Sequence, residues 1–202
     1  GGAITTNDAG LAARLRDARC TGMTRDAARF SNADLAFDEN GEPNPWYYEM
    51  PEIGLNYRAS DIHCALGLSQ LAKLDQFVER RRQLANHYDK LLAPLNPLVM
   101  PLGRMSGCQP AWHLYVALID FKTAGITRAD LMRQLKDKGI GSQVHYIPVH
   151  TQPYYRELYG VKELPGADAY YAKCLSLPLY PNMGDDDPDR VVAALTAILD
   201  RA

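Results

Sequence analysis

The 202-residue sequence carries only four cysteines, Cys20, Cys64, Cys108 and Cys174, far apart and without a C-x-x-C pair. That scarcity excludes a disulfide framework and a paired-cysteine zinc site, and reads as reduced, mostly packed thiols of a cytoplasmic protein. Charge of one sign is also missing. The 22 Lys and Arg stand against 24 Asp and Glu, a formal net charge of -2, so nothing electrostatic points to nucleic acid or an anionic membrane. The densest basic cluster, Arg80 to Arg82, lies in a helical pattern beside Glu79 and Gln83 and reads as a solvated helix face. No apolar run approaches the ~20 residues that span a bilayer. A glycine-rich phosphate loop, G-x-S-x-G, H-E-x-x-H and a calcium loop are all absent. His145 and His150 are spaced H-x-x-x-x-H, but Pro148 between them forbids the helix that could align them as metal ligands, so no metal is expected.

What is present is ordinary globular composition, 47% hydrophobic and 23% charged. Residues 3–6 read as a strand, followed by a helix capped at Asn7 or Asp8 with Leu11, Ala12 and Leu15 on its buried stripe. Residues 21–52 are loop-rich. Asn40-Gly41 marks a hairpin on which Trp46, Tyr47 and Tyr48 pack. Ser60 caps the longest periodic segment, in which Ile62, Leu66, Leu71, Leu74, Val78, Ala85, Tyr88 and Leu92 recur at helical spacing. It is one helix or two joined near Asp75, ended by Pro94 and Pro97. Residues 111–119 form a strand covered on both faces. Thr127 caps a helix stopped at Gly139. Residues 140–146 form a second strand with Gln143 and His145 on one face. A turn-rich stretch, a short helix around 167–173 and the Pro-punctuated "LSLPLYPNM" follow. The last helix starts at Asp187-Pro188 and buries Val191, Val192, Leu195, Ile198 and Leu199. Strands alternating with helices give an α/β or α+β class.

The residues alone do not settle a function. Strand histidines such as His113 and His145 are commonly hydrogen-bonded structural groups, and His63 and His87 read as structural too. Asn56 and Arg58, just ahead of a helix start, are turn residues or partners for a phosphate.

Four stretches in order, "GGAITTND", "GLNYRASDIHCALGLSQLAKLDQFVERRR", "GIGSQVHYIPVHTQPYY" and "LSLPLYP", resemble the DegT-type nucleotide-sugar aminotransferases. The resemblance runs essentially the length of the chain. Its wording is closest to the branch that aminates UDP-4-keto-6-deoxy-N-acetyl-L-altrosamine for pseudaminic acid. It implies an α/β, aspartate-aminotransferase-like fold dependent on pyridoxal 5'-phosphate (PLP), here the C-terminal portion: the end of the large domain plus a small α+β domain. Residues 1–58 would be the end of the PLP domain with an active-site hairpin, 59–93 a linking helix or helix pair, and 94–202 the small domain.

By the same resemblance, Asn56 reaches across a homodimer to the PLP phosphate or the substrate, while Arg58 braces its turn. Gln143, Val144, His145 and Tyr146 line the nucleotide-sugar pocket, and glutamate is the amino donor. The family lysine that holds PLP covalently precedes the glycines matching Gly1 and Gly2. None of the chain's seven lysines falls in its motif, so no catalytic residue is assigned and the chain alone is expected to be inactive. The 3–6 strand, lacking neighbours, is expected to promote self-association. Two other readings are a pyridoxamine-phosphate sugar dehydratase, where histidine replaces that lysine, and a non-catalytic interaction module.

Overall fold

A computed structural model describes residues 2–201. The chain divides after Leu71 into two compact units, Gly1–Leu71 and Ala72–Ala202, the break falling inside the 59–93 helical segment.

In the first unit, α1 (Ala9–Ala18) begins at Asp8, whose Oδ1 accepts from the Leu11 amide at 3.0 Å. Its inward residue is a carboxylate. Asp17 is buried and pairs with the Arg29 guanidinium, and its main-chain oxygen accepts from Cys20 N and Gly22 N, both at 2.8 Å. Leu11 is exposed and Ala12 and Leu15 are only half-buried, so the expected apolar stripe is corrected: α1 is anchored through polar groups at its C-terminal end. Residues 3–6 form no strand. A strand exists only through a ladder partner, and no described residue supplies one.

Beyond a single helical turn, α2 (Ala33–Ala36), the chain reverses at Asn40-Gly41 as the sequence indicates. Gly41 has φ +81° and Phe37 bridges Pro43. Asp38 Oδ1 ties the turn, accepting from Asn40 N and Glu42 N at 2.9 Å each. Of the three aromatics assigned to packing, only Tyr47 does so, edge-on to Phe30 at 4.9 Å; Trp46 and Tyr48 are exposed.

Glu49 closes this region as an acceptor cage. Its backbone pairs with Thr24, and its carboxylate accepts from Ser31 N at 2.8 Å, Asn32 N at 2.7 Å, Ser31 Oγ at 2.8 Å and Tyr47 OH at 3.0 Å. The unit ends with α3 (Asp61–Leu71), its first turn capped by Ser60, whose Oγ lies 2.7 Å from His63 Nδ1. None of its residues is buried, so the helical spacing of Ile62, Leu66 and Leu71 marks no buried stripe within this unit.

The second unit opens with α4 (Leu74–Leu92); the periodic segment is two helices, parted at Ala72-Lys73, near Asp75 as the sequence allows. A three-stranded antiparallel sheet follows, in spatial order β1 (Val99–Pro101), β2 (Tyr115–Ile119), β3 (Cys174–Leu177). Pro101, which cannot donate to a ladder, sits on the edge strand β1 opposite Ala117. The central β2 is shorter than the 111–119 read from sequence, and His113 lies in an exposed bend ahead of it.

Between the strands run α5 (Arg128–Asp137), α6 (Pro153–Tyr159) and α7 (Pro165–Lys173), and α8 (Asp187–Leu199) closes the chain. In α5 the Thr127 Oγ1 accepts from Asp130 N at 3.1 Å and donates to Asp130 Oδ2 at 2.6 Å, and Gly139 follows at φ +73°.

One core serves this unit. Leu84, Ala85, Tyr88 and Leu92 of α4, Leu131 and Leu135 of α5, and Val191, Leu195 and Ile198 of α8 pack over the sheet. Tyr88 and Tyr115 stack at 4.6 Å within it. The Tyr88 hydroxyl donates to Pro178 O at 3.0 Å and that of Tyr115 to Asp89 Oδ1 at 2.8 Å, so burial raises both phenol pKa values without leaving either proton unpaired. His87 Nε2 meets Asp189 Oδ2 at 2.7 Å, tying α4 to α8, which gives His87 the structural role expected of it.

Cys174 is buried, Cys20 half-buried, and Cys64 and Cys108 exposed, all free; the expectation of mostly packed thiols is corrected to half the set. Among the described residues no helix is long and apolar enough to cross a membrane.

The Glu49 cage makes a pH prediction. Backbone donation from Ser31 and Asn32 lowers its pKa from 4.5 to about 2. Because the folded value is depressed, the cage stabilises the region fully above about pH 4.5 and loses that contribution as pH falls through about 2. Titration of ¹³C-labelled Glu49 should give a midpoint near 2, tracked by the Ser31 and Asn32 amide shifts. Those amide shifts should stay flat in Glu49→Gln. A midpoint in the ordinary carboxylate range would refute the cage.

Candidate functional site

Asn56 belongs to the first unit, and its placement follows from the backbone. Leu55 N donates to Ala18 O at 2.6 Å, Tyr57 N to Arg19 O at 2.9 Å, and Thr21 N to Leu55 O at 3.0 Å, with Cys20 and Asn56 as an antiparallel bridge. Two glycines permit this approach. Gly22 has φ +77°, and a Cβ on Gly54 would collide with Gly22 N and lie 2.7 Å from Ala18 O. The Asn56 side chain is exposed, and its amide makes no hydrogen bond with another described residue. Arg58 is exposed as well, and no described hydrogen bond or ion pair from it braces the turn.

Residues 143–146 belong to the second unit. The expected strand over 140–146 reduces to one bridge: Ser176 N donates to Gln143 O at 2.7 Å and Gln143 N to Ser176 O at 3.2 Å. Beyond it the chain leaves the sheet, because the next amide is taken locally, Val144 N donating to Gln143 Oε1 at 2.9 Å. Gln143 therefore retains its side-chain NH₂ as a donor.

His145 is half-buried, with Nδ1 2.8 Å from Ser176 Oγ; its carbonyl accepts from Tyr170 OH at 2.8 Å. Burial raises the Tyr170 pKa and keeps that phenol a donor. Tyr146 is 68% exposed and edge-on to the His145 ring at 4.6 Å; Val144 is half-buried. A cavity of about 250 Å³ later in the chain, lined by Val149, His150, Tyr155, Tyr159, Lys162 and Leu164, includes none of residues 143–146. His150 is bound at 3.1 Å to Asp168 Oδ1.

Both stretches thus present uncharged donors and acceptors on segments fixed by backbone bonds, and the motif order matches a known family. The sequence profile of the DegT/DnrJ/EryC1/StrS aminotransferase family covers residues 1–196. The chain belongs to this family.

It is 41% identical to the spore coat polysaccharide biosynthesis protein SpsC of Bacillus subtilis, over 98% of this chain and 49% of that protein. Its structure resembles Helicobacter pylori PseC, an aminotransferase involved in the biosynthesis of pseudoaminic acid, with TM-score 0.82 and 26% identity over 98% of this chain and 48% of PseC. The putative sugar aminotransferase Spr1654 of Streptococcus pneumoniae shares the fold, its PMP-form giving TM-score 0.79 at 21% identity over 97% of this chain and 45% of that one; a PLP-form is also solved. The chain spans about half the length of the curated relatives it matches.

The fold is accordingly the PLP-dependent, aspartate-aminotransferase-like one, and PLP is the family's cofactor. Asn56 fits such a ligand in donor type: an uncommitted neutral amide on a fixed backbone can donate to a phosphate oxygen without a second charge to desolvate.

Sequence reasoning did not find Ser176 and Tyr170, which hold residues 143–146. The available signal was Ser176 itself, a hydroxyl inside the apolar run "CLSL", since a buried polar group requires a partner.

The glycine contact predicts opposite effects for two similar substitutions. Gly54→Ala should destabilise the first unit by about 1–3 kcal/mol through overpacking and expose the Tyr57 amide to exchange. Gly67→Ala, in α3 with nothing within 4 Å of its added Cβ, should stabilise it by roughly 0.5–1 kcal/mol. Urea unfolding with hydrogen exchange reads both, and equal effects would discount the backbone clamp.

Proposed function

We propose that the chain supplies the nucleotide-sugar-facing part of a PLP-dependent aminotransferase. The reaction moves an amino group, with glutamate as donor, to C4 of a UDP-4-keto-6-deoxy-N-acetylhexosamine, for pseudaminic acid or a related surface glycan. The working enzyme is a cytoplasmic homodimer. Family membership and the likeness to PseC support the reaction class, and the name of the 41%-identical SpsC fits a surface-glycan product. The observation that carries the reading is the anchoring by Ser176 and Tyr170, which fixes the Gln143 backbone and the His145 ring on a short segment that also bears the Gln143 amide and the Tyr146 phenol.

Bound PLP supplies the electron sink that amino transfer requires. The chain's own residues bind and orient. Asn56 donates its side-chain N–H to a phosphate oxygen of the cofactor or to the substrate. Gln143, with its oxygen occupied by Val144 N, donates through its NH₂ to an acceptor oxygen of the nucleotide sugar. Tyr146 offers a hydroxyl that donates or accepts, and Val144 contributes an apolar wall. His145 meets the ligand through the ring nitrogen that Ser176 does not engage. The covalent lysine role falls to none of the chain's seven lysines.

Titrating the ¹⁵N-labelled chain with UDP should shift the amides of Gln143, Val144, His145 and Tyr146. Gln143→Ala should weaken UDP binding about threefold to tenfold, the worth of one net hydrogen bond. Unmoved amides at millimolar UDP would remove the nucleotide-sugar reading. Separately, incubation of the chain with PLP and borohydride should label no single lysine stoichiometrically; a unique, complete adduct would overturn the exclusion of these lysines.

A further inference from the structure

We propose that Ser176 is a positioning residue for His145: its hydroxyl donates to Nδ1 and fixes the tautomer in which Nε2 carries the proton. What Nε2 then meets rests on the nucleotide-sugar reading; the positioning itself does not.

Ser176 is 4% exposed and lies between Leu175 and Leu177, both buried, in a strand with no exposed residue. Its backbone N–H and C=O are both committed to Gln143. Among the described residues its hydroxyl has one partner, His145 Nδ1 at 2.8 Å. That single partner sets the direction of the bond. Were Nδ1–H the donor, the hydroxyl proton would be left in the core without an acceptor, the costly case for a buried polar group. With Oγ–H donating, the proton is satisfied and only an oxygen lone pair is unused. Nδ1 must then be unprotonated in the neutral ring, which places the proton on Nε2.

One strand residue thereby sets three features of the candidate site. It fixes the backbone of Gln143 by two bonds, the ring of His145 by one, and the donor character of Nε2 by the sense of that last bond. Tyr170, donating to the His145 carbonyl, holds the same residue from the other end. An Nε2–H so presented suits an acceptor oxygen, such as that of a pyrophosphate or a sugar carbonyl.

The test is ¹⁵N NMR of the histidine-labelled full chain at about pH 8, above the ordinary imidazole range. The chain has 5 histidines, and His145 is assigned by its loss in His145→Gln. Wild-type His145 should be the Nε2–H tautomer. In Ser176→Ala the Nε2–H to Nδ1–H ratio should fall about threefold to tenfold, and Ser176→Thr, which keeps a hydroxyl, should restore it. If Ser176→Ala does not fold, Ser176→Cys, a weaker donor, should give an intermediate ratio.

A wild-type Nδ1–H tautomer, or a ratio that does not respond to residue 176 in folded variants, overturns the proposal. UDP added to the same samples separates the two readings. A residue-176-dependent tautomer without UDP shifts at residues 143–146 leaves the positioning role and removes the nucleotide. UDP shifts with an unresponsive tautomer do the reverse.

Discussion

The pairing of β2 with β3 is the constraint on which the second unit depends. Its register sets Ser176 opposite Val116 and Leu175 opposite Ala117. Ser176 spends both backbone groups on Gln143, so its pairing with Val116 is of the non-hydrogen-bonded kind that alternates along an antiparallel ladder. The unused edge of β3 is thereby open to receive a residue from elsewhere in the chain. A sheet with β1 as one edge and residue 143 at the other can be continuous in its core and irregular at its rim. The rim is where residues 144–146 diverge.

The two units achieve order by different physics. The second buries a contiguous set of Leu, Ile, Val and Tyr side chains from three helices and three strands, so its stability is dominated by apolar area removed from water. The first buries Ala36 together with Asp17 and Thr24, which is no basis for a hydrophobic core. It is instead arranged around satisfied carboxylates: Asp17 against Arg29, Glu49 in its cage of amides and hydroxyls, and Asp38 closing the turn at Gly41. Such bonds are directional, and near solvent each contributes little net stability, because folding exchanges them for bonds to water. They specify where the backbone runs more than they hold it folded. That is the property needed to fix the position of Asn56.

Legibility in the sequence followed the range of the interactions. The cap and stop of α5, Thr127 and Gly139, and the buried stripe of α8 were readable because their causes lie within a few residues. The strand at 140–146 was not, since alternation of side chains does not state whether a neighbour exists, and the one that does, Ser176, bonds the His145 ring from 31 residues away. β3 was hidden inside a Pro-punctuated phrase. α6 is hidden in the turn-rich stretch because its proline, Pro153, occupies the first turn of a helix, a place proline favours. Among the candidate site residues, Asn56 and the 143–146 stretch are legible only through family wording. The groups that hold them, Gly22, Gly54, Ser176 and Tyr170, carry no motif. Arg58, expected to brace the turn, is replaced in that role by main-chain bonds to Ala18 and Arg19.

The chemistry proposed for Asn56 in the first unit and for residues 143–146 in the second accounts for the backbone clamp around each. Asn56, Gln143 and Tyr146 carry no formal charge, and a neutral group is cheaper to desolvate beside an anionic ligand than an ammonium or carboxylate would be. A charge acts over many ångströms in whatever direction it is approached, whereas an amide or hydroxyl is effective only within hydrogen-bond distance and alignment. A site built from neutral groups must therefore obtain its selectivity from position. The backbone contact at Gly22 and Gly54 fixes Asn56 within the first unit, and the four bonds that link Ser176 and Tyr170 to Gln143 and His145 fix residues 143–146 within the second.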